Sequence, residues 1–391
     1  METIIAILIS PVIIYLGIAG IYQLVLALAA QTKEHRTHVA TTHINRFLVL
    51  VPAYQEDEVI VQSTRANMAL KYQYPSARFD YVVISDGLKE STNEALEKLG
   101  ASVLKVNFEK STKVKALKAA MKAQQAAYDA VVVLDADNQV PVKFLYKANQ
   151  YINQGHVAIQ GQRMGANTDT AAACLDAFAE AANNAMLCKG ANRLGFSSKL
   201  SGSGMVFTYE LFKEVLGGLE AIGGFDKEME LAMTQQGVFI KYAHDLMVTD
   251  EKVSSFKSYE KQRGRWLESQ YSFLRKSIKP AISSLRKGNR DHFHKAMQLA
   301  LPPRALAPFA LIMLSLVGYW LGPAVFIASV LGLAANIGSY LITIPRGPLF
   351  KNSWKIALAI PKLFWSTLNA LTCIKLSKTE FLHTKHQLVS A

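Results

Sequence analysis

Cysteine is scarce. Cys174, Cys188 and Cys373 are the whole complement in 391 residues, odd in number and at no spacing that ligates zinc. A disulfide framework and a structural zinc site are both set aside, and the soluble part of the chain suits a reducing compartment. No internal repeat and no low-complexity tract appears along the sequence. Charge is missing altogether from residues 3–30. Crossing a bilayer takes roughly 20 apolar residues, so this run suffices. It lacks the basic lead-in of a signal peptide and exceeds its length, which favours an uncleaved span. Acids are the minority charge: 30 against 43 Lys and Arg, for a net +13. Such an excess could serve nucleic acid, an anionic leaflet or a phosphate-rich substrate. The basic residues cluster beside apolar runs with no aromatic-interleaved patch, so a nucleic-acid partner is not expected.

What is present is a mixture. The chain is 50% hydrophobic and still 19% charged, which points to a soluble domain joined to membrane spans. Lys33, Arg36 and Arg46 follow the first apolar run and place what comes next on the cytoplasmic side. From about 47 to 250, buried-strand patterns (46–54, 79–87, 102–108, 129–137) alternate with helical ones (56–72, 91–100, 113–128). Alternation of this kind predicts a mostly parallel sheet covered by helices, with ligands collecting beyond the carboxyl ends of the strands. Residues 272–304 are dense in Lys and Arg and read as one or two helices on the membrane surface. Residues 305–321 and 323–344 read as spans joined by a Gly-Pro turn. A third candidate, 356–374, is interrupted by Pro361 and Lys362; Arg346, Lys351 and Lys355 before it are cytoplasmic by the charge rule. Lys375, Lys378 and Lys385 beyond it leave open whether the segment spans or lies at the interface.

Chemistry concentrates where strands end. Asp135 and Asp137 close the run DAVVVLDAD, and Asp86 closes VVISD. Carboxylates on the lip of a parallel strand are costly unless a cation shares them, and Mg²⁺ or Mn²⁺ holding a diphosphate is a natural partner. Pro52, Ala53 and Tyr54 form a tight turn after the first strand pattern. Lys113 and Lys115 open a helix, where a lysine opposes the dipole and a nearby anion would explain it. The turn SGSG, with Gly202, Ser203 and Gly204, would let a sugar approach the backbone. Asp226, Glu228 and Glu230 open a further helix; capping accounts for one or two of them, and a carboxylate facing the crevice could act as a base. The stretch EKQRGRW (260–266) admits three readings: a positive-inside anchor, a nucleic-acid patch or part of an active site.

In order, the chain shows VPAYQED, VISDG, LDADNQ, SGSGMVF, GGFDKEMEL and QRGRW. This series resembles the membrane-embedded family 2 glycosyltransferases, with D-x-D and Q-x-x-R-W motifs like those of cellulose, chitin and hyaluronan synthases. The resemblance implies an α/β GT-A domain, a Rossmann-like mixed sheet, with N- and C-terminal transmembrane helices. The expected divisions are a span at 1–32, a cytoplasmic transferase at 45–270, interfacial helices at 271–304, spans at 305–375 and a tail at 376–391. Ala53, Tyr54 and Asp86 would contact the nucleotide, Lys113 its phosphates, and Asp135 the nucleotide sugar. Asp137 would hold the Mg²⁺ or Mn²⁺. Glu228 would be the catalytic base, Gln262 and Arg265 would hold the donor, and Trp266 with the Gly202–Ser203–Gly204 turn would meet the acceptor.

The sequence departs from the pattern in three places. Lys227-Glu228 stands for the usual Glu-Asp pair, with Asp226 or Glu230 as substitute bases. LKEST follows VISDG, and Lys118 stands where asparagine is usual. The implied activity is inverting transfer from a nucleotide-diphosphate sugar, a UDP-sugar ahead of a GDP-sugar, onto a growing β-linked polysaccharide, with processive extension in view. Transfer of one sugar to a lipid-linked acceptor is the rival, and an idle membrane scaffold or nucleotide sensor the reading from another class. Membrane lipids and other export or synthase subunits are the expected partners, at the inner membrane with the catalytic domain cytoplasmic.

Overall fold

The structure, a computed structural model, describes residues 2–33, 43–344 and 353–372. Arg36, Arg346, Lys351, Cys373, Lys375, Lys378, Lys385 and the 376–391 tail lie outside the described residues. Seven strands form one sheet: β1 (Phe47–Tyr54), β2 (Phe79–Asp86), β3 (Ser102–Val106), β4 (Ala130–Val133), β5 (Ala158–Gly165), β6 (Met205–Thr208) and β7 (Ile240–Asp250). Their spatial order is β3-β2-β1-β4-β6-β5-β7. β6 runs antiparallel to β4 and β5, and the other six strands share one direction. The sheet expected from the alternating pattern is therefore present, and its carboxyl edge gathers the ends of six strands plus the start of β6.

β1 shows why the core forms. Phe47, Val49 and Val51 face one layer while Leu48 and Leu50 face the other, and all five are fully buried. Successive strand residues point to opposite faces, so an unbroken apolar run needs cover on both sides. One side is covered by α2 (Ile60–Asn67), α3 (Glu90–Lys98) and α5 (Phe144–Asn153). The other is covered by α4 (Lys113–Ala123), α8 (Tyr209–Gly218) and α9 (Phe225–Gln235). α6 (Ala171–Asn183) continues through a π-helical turn at Asn184–Gly190 into the short α7 (Ala191–Arg193).

α10 (Phe256–Arg286) runs unbroken past residue 270, so the division expected there falls inside one 31-residue helix. EKQRGRW lies on it. α11 (Arg290–Gln298) follows, then α12 (Leu306–Leu321), α13 (Pro323–Thr343) and α14 (Ser353–Thr372). The Gly-Pro turn is as expected: Gly322, at φ 130, separates α12 from Pro323 at the start of α13. Among the described residues, α1 (Glu2–Ala29) and α13 are long and apolar enough to cross a membrane, and α12 is a shorter apolar helix. α14 packs along α10 and α6 more than along α12.

Glycines let α1 approach its neighbours. A Cβ at Gly20 would stand 2.9 Å from the Gly332 carbonyl of α13, and one at Gly190 only 2.2 Å from the Leu26 carbonyl. Helices meet this closely only where small residues allow backbone contact. At Gly190 the obstacle is backbone, which cannot swing aside as a side-chain end can. Gly190→Ala is expected to cost about 1–3 kcal/mol and to loosen α1 from the sheet-containing part of the chain. Thermal unfolding and limited proteolysis before residue 45 check this; an unchanged melting temperature would count against the close packing.

Candidate functional site

The carboxyl edge of the sheet opens into a cavity of about 950 Å³. Pro52, Ala53 and Tyr54 line it at the end of β1, Asp86 at the end of β2, and Asp135 and Asp137 just beyond β4. The turn after β1 carries Gln55 at φ 55, the one positive φ at a non-glycine among the described residues, and Gln55 N–H donates to the Asp86 carbonyl at 3.1 Å. That bond ties the ends of β1 and β2 together at the lip of the cavity. Burial pushes the Asp86 carboxyl up from its ordinary range, and a hydrogen bond from Ser111 opposes the shift.

Lys113 ties three parts together. The Thr112 hydroxyl caps α4, and Lys113 then reaches across to donate to Asp135 Oδ1 and, at 2.8 Å, to the Gly202 carbonyl. Its ammonium also lies 5.1 Å from the centre of the Phe225 ring. Asp137 is only 9% exposed; its oxygens accept from Asn138 Nδ2 at 3.0 Å and from the Glu251 amide at 3.2 Å. Both motif acids are thus fixed before any ligand arrives.

The spacing of Q-x-x-R-W is explained by α10. Residues i, i+3 and i+4 share one helix face, and Gln262, Arg265 and Trp266 all line the cavity. Gln262 Oε1 is buried without a hydrogen-bond partner among the described residues. Burial holds the Arg265 guanidinium below its ordinary value, so an anion beside it would be favoured. Arg263, between them, turns to α6: its Nη2 donates to Asp176 at 2.7 Å, and its guanidinium lies over the Tyr259 and Trp266 rings at 4.8 and 4.5 Å.

Three expected site residues are not brought to the cavity. Glu228 points away: its Oε2 accepts from the backbone amides of Glu220 at 3.1 Å and Ala221 at 2.8 Å. Two residues along a helix is about 200° of rotation, so Glu228 faces opposite Asp226 and Glu230, which do line the cavity. Ser203 and Gly204 are buried behind the turn, leaving Ser201 and Gly202 on the surface of the cavity. Gly204 packs so closely that a Cβ would stand 2.8 Å from Val248 Cγ2.

A buried charge network lies under the site that motif reading does not find. Asp250, ending β7, pairs with Arg163 of β5 and with Lys252 at 2.9 Å, and Lys252 lies 3.7 Å from Glu180 of α6. Burial alone would raise the Glu180 carboxyl, but Lys252, Arg163, Lys199 and Arg263 outweigh it and bring it down to about 2. The one signal in the sequence is a pair of acids four residues apart, Asp176 and Glu180, in an otherwise small and apolar helix, AAACLDAFAEAAN. Glu230, in contrast, is raised by burial although Lys295 and the Leu200 amide oppose the shift.

The family model described as glycosyltransferase-like family 2 matches residues 45–269. The chain belongs to this family. It is a glycosyltransferase with a GT-A-like sheet. No curated protein matches it. Similar solved structures include a mannosyltransferase from Pyrobaculum calidifontis in complex with GDP-Man and Mn²⁺, 18% identical, covering 96% of this chain and 98% of that one at a TM-score of 0.58. TarS residues 1–349 of S. aureus is 15% identical, over 85% of this chain and 90% of that one, at 0.43. Glucosyl-3-phosphoglycerate synthase from Mycobacterium tuberculosis, with Mn²⁺, UDP and phosphoglyceric acid, is 17% identical over 56% and 76%, at 0.39. The first of these shares the fold of this glycosyltransferase.

In this transferase, a carboxylate held low by cations stabilises the fold above its unfolded pKa and loses that contribution as pH falls through its folded one. For Glu180 the window runs from 4.5 down to about 2. Glu180→Gln is expected to cost about 3 kcal/mol at pH 7, because buried cations lose a partner. The gap to the parent protein should close across that acid window, as read by denaturant unfolding; a pH-independent gap would contradict the ion-pair assignment.

Proposed function

We propose that this glycosyltransferase moves a sugar, with inversion, from a nucleotide-diphosphate sugar onto an acceptor hydroxyl met at the cytoplasmic face of a membrane. The observation that carries this reading is the continuity of one cavity from the Asp86–Asp135–Asp137 edge to the faces of α12, α13 and α14. In this reading 1–32 and 305–375 are the membrane parts, 45–270 the catalytic part and 271–304 the surface helices, at the inner membrane.

Ala53, Tyr54 and Asp86 take the nucleoside, with a UDP-sugar preferred to a GDP-sugar, and Lys113 stands near its phosphates. Among the described residues no three ligating side chains converge, so a resident Mg²⁺ or Mn²⁺ would rest on Asp137 and on donor oxygens. That donor set suits a hard cation that keeps water and phosphate ligands. When bound, such a cation supplies positive charge against the departing diphosphate. Arg265 holds that diphosphate with a planar fork of donors, and Gln262, with its open Oε1, orients the sugar. Trp266 and Gly202 meet the acceptor.

Asp226 takes the role of base that Glu228 cannot reach. It lines the cavity, with Lys227 Nζ 3.9 Å from its Oδ1, and the Gly202 turn beside it. The acceptor oxygen forms a bond to the anomeric carbon as the bond from that carbon to the β-phosphate oxygen breaks. The nucleoside diphosphate leaves with the electron pair, and the acceptor proton passes to Asp226. Extension of a β-linked polysaccharide is the second reading, favoured by the Gln262–Arg265–Trp266 face; sizing of radiolabelled product separates a polymer from a single lipid-soluble species.

Asp226→Asn is expected to lower turnover about 10²–10⁴-fold while nucleotide-sugar binding holds. Glu228→Gln should keep turnover within a few fold and lose about 1 kcal/mol of stability. The opposite ranking in a nucleoside-diphosphate release assay would return the base to Glu228. Chelation is expected to abolish transfer, with recovery on adding Mn²⁺ or Mg²⁺, and Asp137→Asn to raise the metal concentration needed for recovery. Full activity in chelator would remove the metal from the mechanism.

A further inference from the structure

The far limb of the cavity is not used by the donor. Phe309 and Ile312 of α12, Ile337 and Leu341 of α13, and Ile360 and Leu363 of α14 wall it, and all six are apolar. Three polar side chains open onto it from different elements. Arg304, just before α12, donates to the Ala179 carbonyl at 3.1 Å and to Asn183 Oδ1, and it forms no ion pair among the described residues. Tyr340 Oη and Gln23 Oε1 are buried with no hydrogen-bond partner among the described residues. A buried guanidinium without a counter-charge is costly, as is an unsatisfied hydroxyl or amide. Apolar walls around an uncompensated cation form a chemically amphipathic site.

α14 closes this limb from outside. Ile356, Ile360, Leu363 and Thr367 recur at helical spacing along the cavity, while Trp354, Leu358 and Trp365 of the same helix are 58%, 74% and 64% exposed. A helix apolar on both faces, with Lys355 and Lys362 among them, suits a position at the lipid interface better than one in water. The limb therefore lies where a lipid chain could enter it laterally.

We infer that the far limb seats a lipid-linked acceptor. Its hydrocarbon chain lies between α12, α13 and α14, and its phosphate lies against Arg304. Tyr340 Oη offers that phosphate a donor, Gln23 Oε1 accepts from a hydroxyl of the headgroup, and the headgroup sugar projects toward Asp226. The inference rests on the transferase reading of the polar end and names the acceptor class for it. Charge complementarity selects a lipid phosphate over a neutral glycolipid, because Arg304 forms no ion pair among the described residues. The apolar walls select a lipid phosphate over a free one.

The test uses the full chain in nanodiscs of zwitterionic lipid, with radiolabelled dodecyl phosphate as probe. Saturable binding is expected, with dodecanol and inorganic phosphate each competing at least about tenfold more weakly than unlabelled dodecyl phosphate. Arg304→Ala and, independently, Ile360→Trp should each weaken binding about tenfold, and Arg304→Lys should recover part of it. Nucleotide-sugar binding should stay within about twofold in all three, which also reports correct folding. Equal competition by dodecanol or by inorganic phosphate would overturn the inference, and so would unchanged binding in Arg304→Ala and Ile360→Trp. Failure of the transferase reading would look different: the parent chain would neither bind nucleotide sugar nor release nucleoside diphosphate, whatever its affinity for dodecyl phosphate.

Discussion

Negative charge collected at one edge of a sheet has to be balanced from somewhere, and the architecture follows from how this chain does it. Six strands sharing a direction deliver Asp86, Asp135, Asp137 and Asp250 to the same lip. Unbalanced carboxylates there would be expensive to bury. Lys113 answers Asp135 from the start of α4, while Arg163 and Lys252 answer Asp250. Glu180 then balances the surplus cation beneath them, so α6 is drawn under the sheet edge by charge as well as by its packing against β5. The site floor and the fold share these ion pairs, which is why their loss should register in both.

α10 carries this arrangement toward α14. On its face toward the cavity stand Gln262, Arg265 and Trp266; Arg263 leaves that face to pair with Asp176. Of the two arginines in EKQRGRW, one therefore faces the site and the other fastens α10 to α6. A positive-inside anchor accounts for neither position, since both side chains are substantially buried within the protein. The same helix continues to Arg286 and packs against α14, so the cavity walls at Arg265 and at Ile360 belong to helices in direct contact.

Much of the sheet was legible in the sequence because strand and helix periodicities are local properties: the apolar runs at 47–54, 79–86 and 130–133 need no distant partner to be read. The motif acids Asp86, Asp135 and Asp137 were legible for the same reason, since ending an apolar strand already places them at the lip. Glu228 was misplaced by a different kind of inference. Matching a motif position fixes where a residue falls in the chain but not which way its side chain turns, and a helix rotates about 100° per residue. Asp226 and Glu230, four apart, share the face that Glu228 lacks. Ser203 and Gly204 fail likewise, because only part of a tight turn can face a cavity. The Arg163–Asp250–Lys252–Glu180 set was illegible because its members are brought together from β5, β7 and α6, and no local pattern encodes that pairing.

The small-residue turn and the first apolar helix are joined by polar contacts as well as by the chain. Glu230 accepts from the Leu200 amide at 2.6 Å, just before the small-residue turn, and its other oxygen lies 3.7 Å from the fully buried Lys295. Lys295 donates to Gln298 Oε1 at 3.0 Å, and Gln298 Nε2 donates to Tyr22 Oη of α1, also at 3.0 Å. Tyr22 Oη lies 2.8 Å from His294 Nε2, and burial lowers that imidazole to about 3, so it stays neutral and can accept the phenolic proton. Every link is buried or half-buried, where hydrogen bonds are strong and a broken one is costly. A fragment cut after α1 would leave Gln298 Nε2 and His294 Nε2 without Tyr22, one step along the chain of contacts from Lys295 and Glu230. α1 is therefore better understood as a wall of the active domain than as a tether that holds it near a membrane.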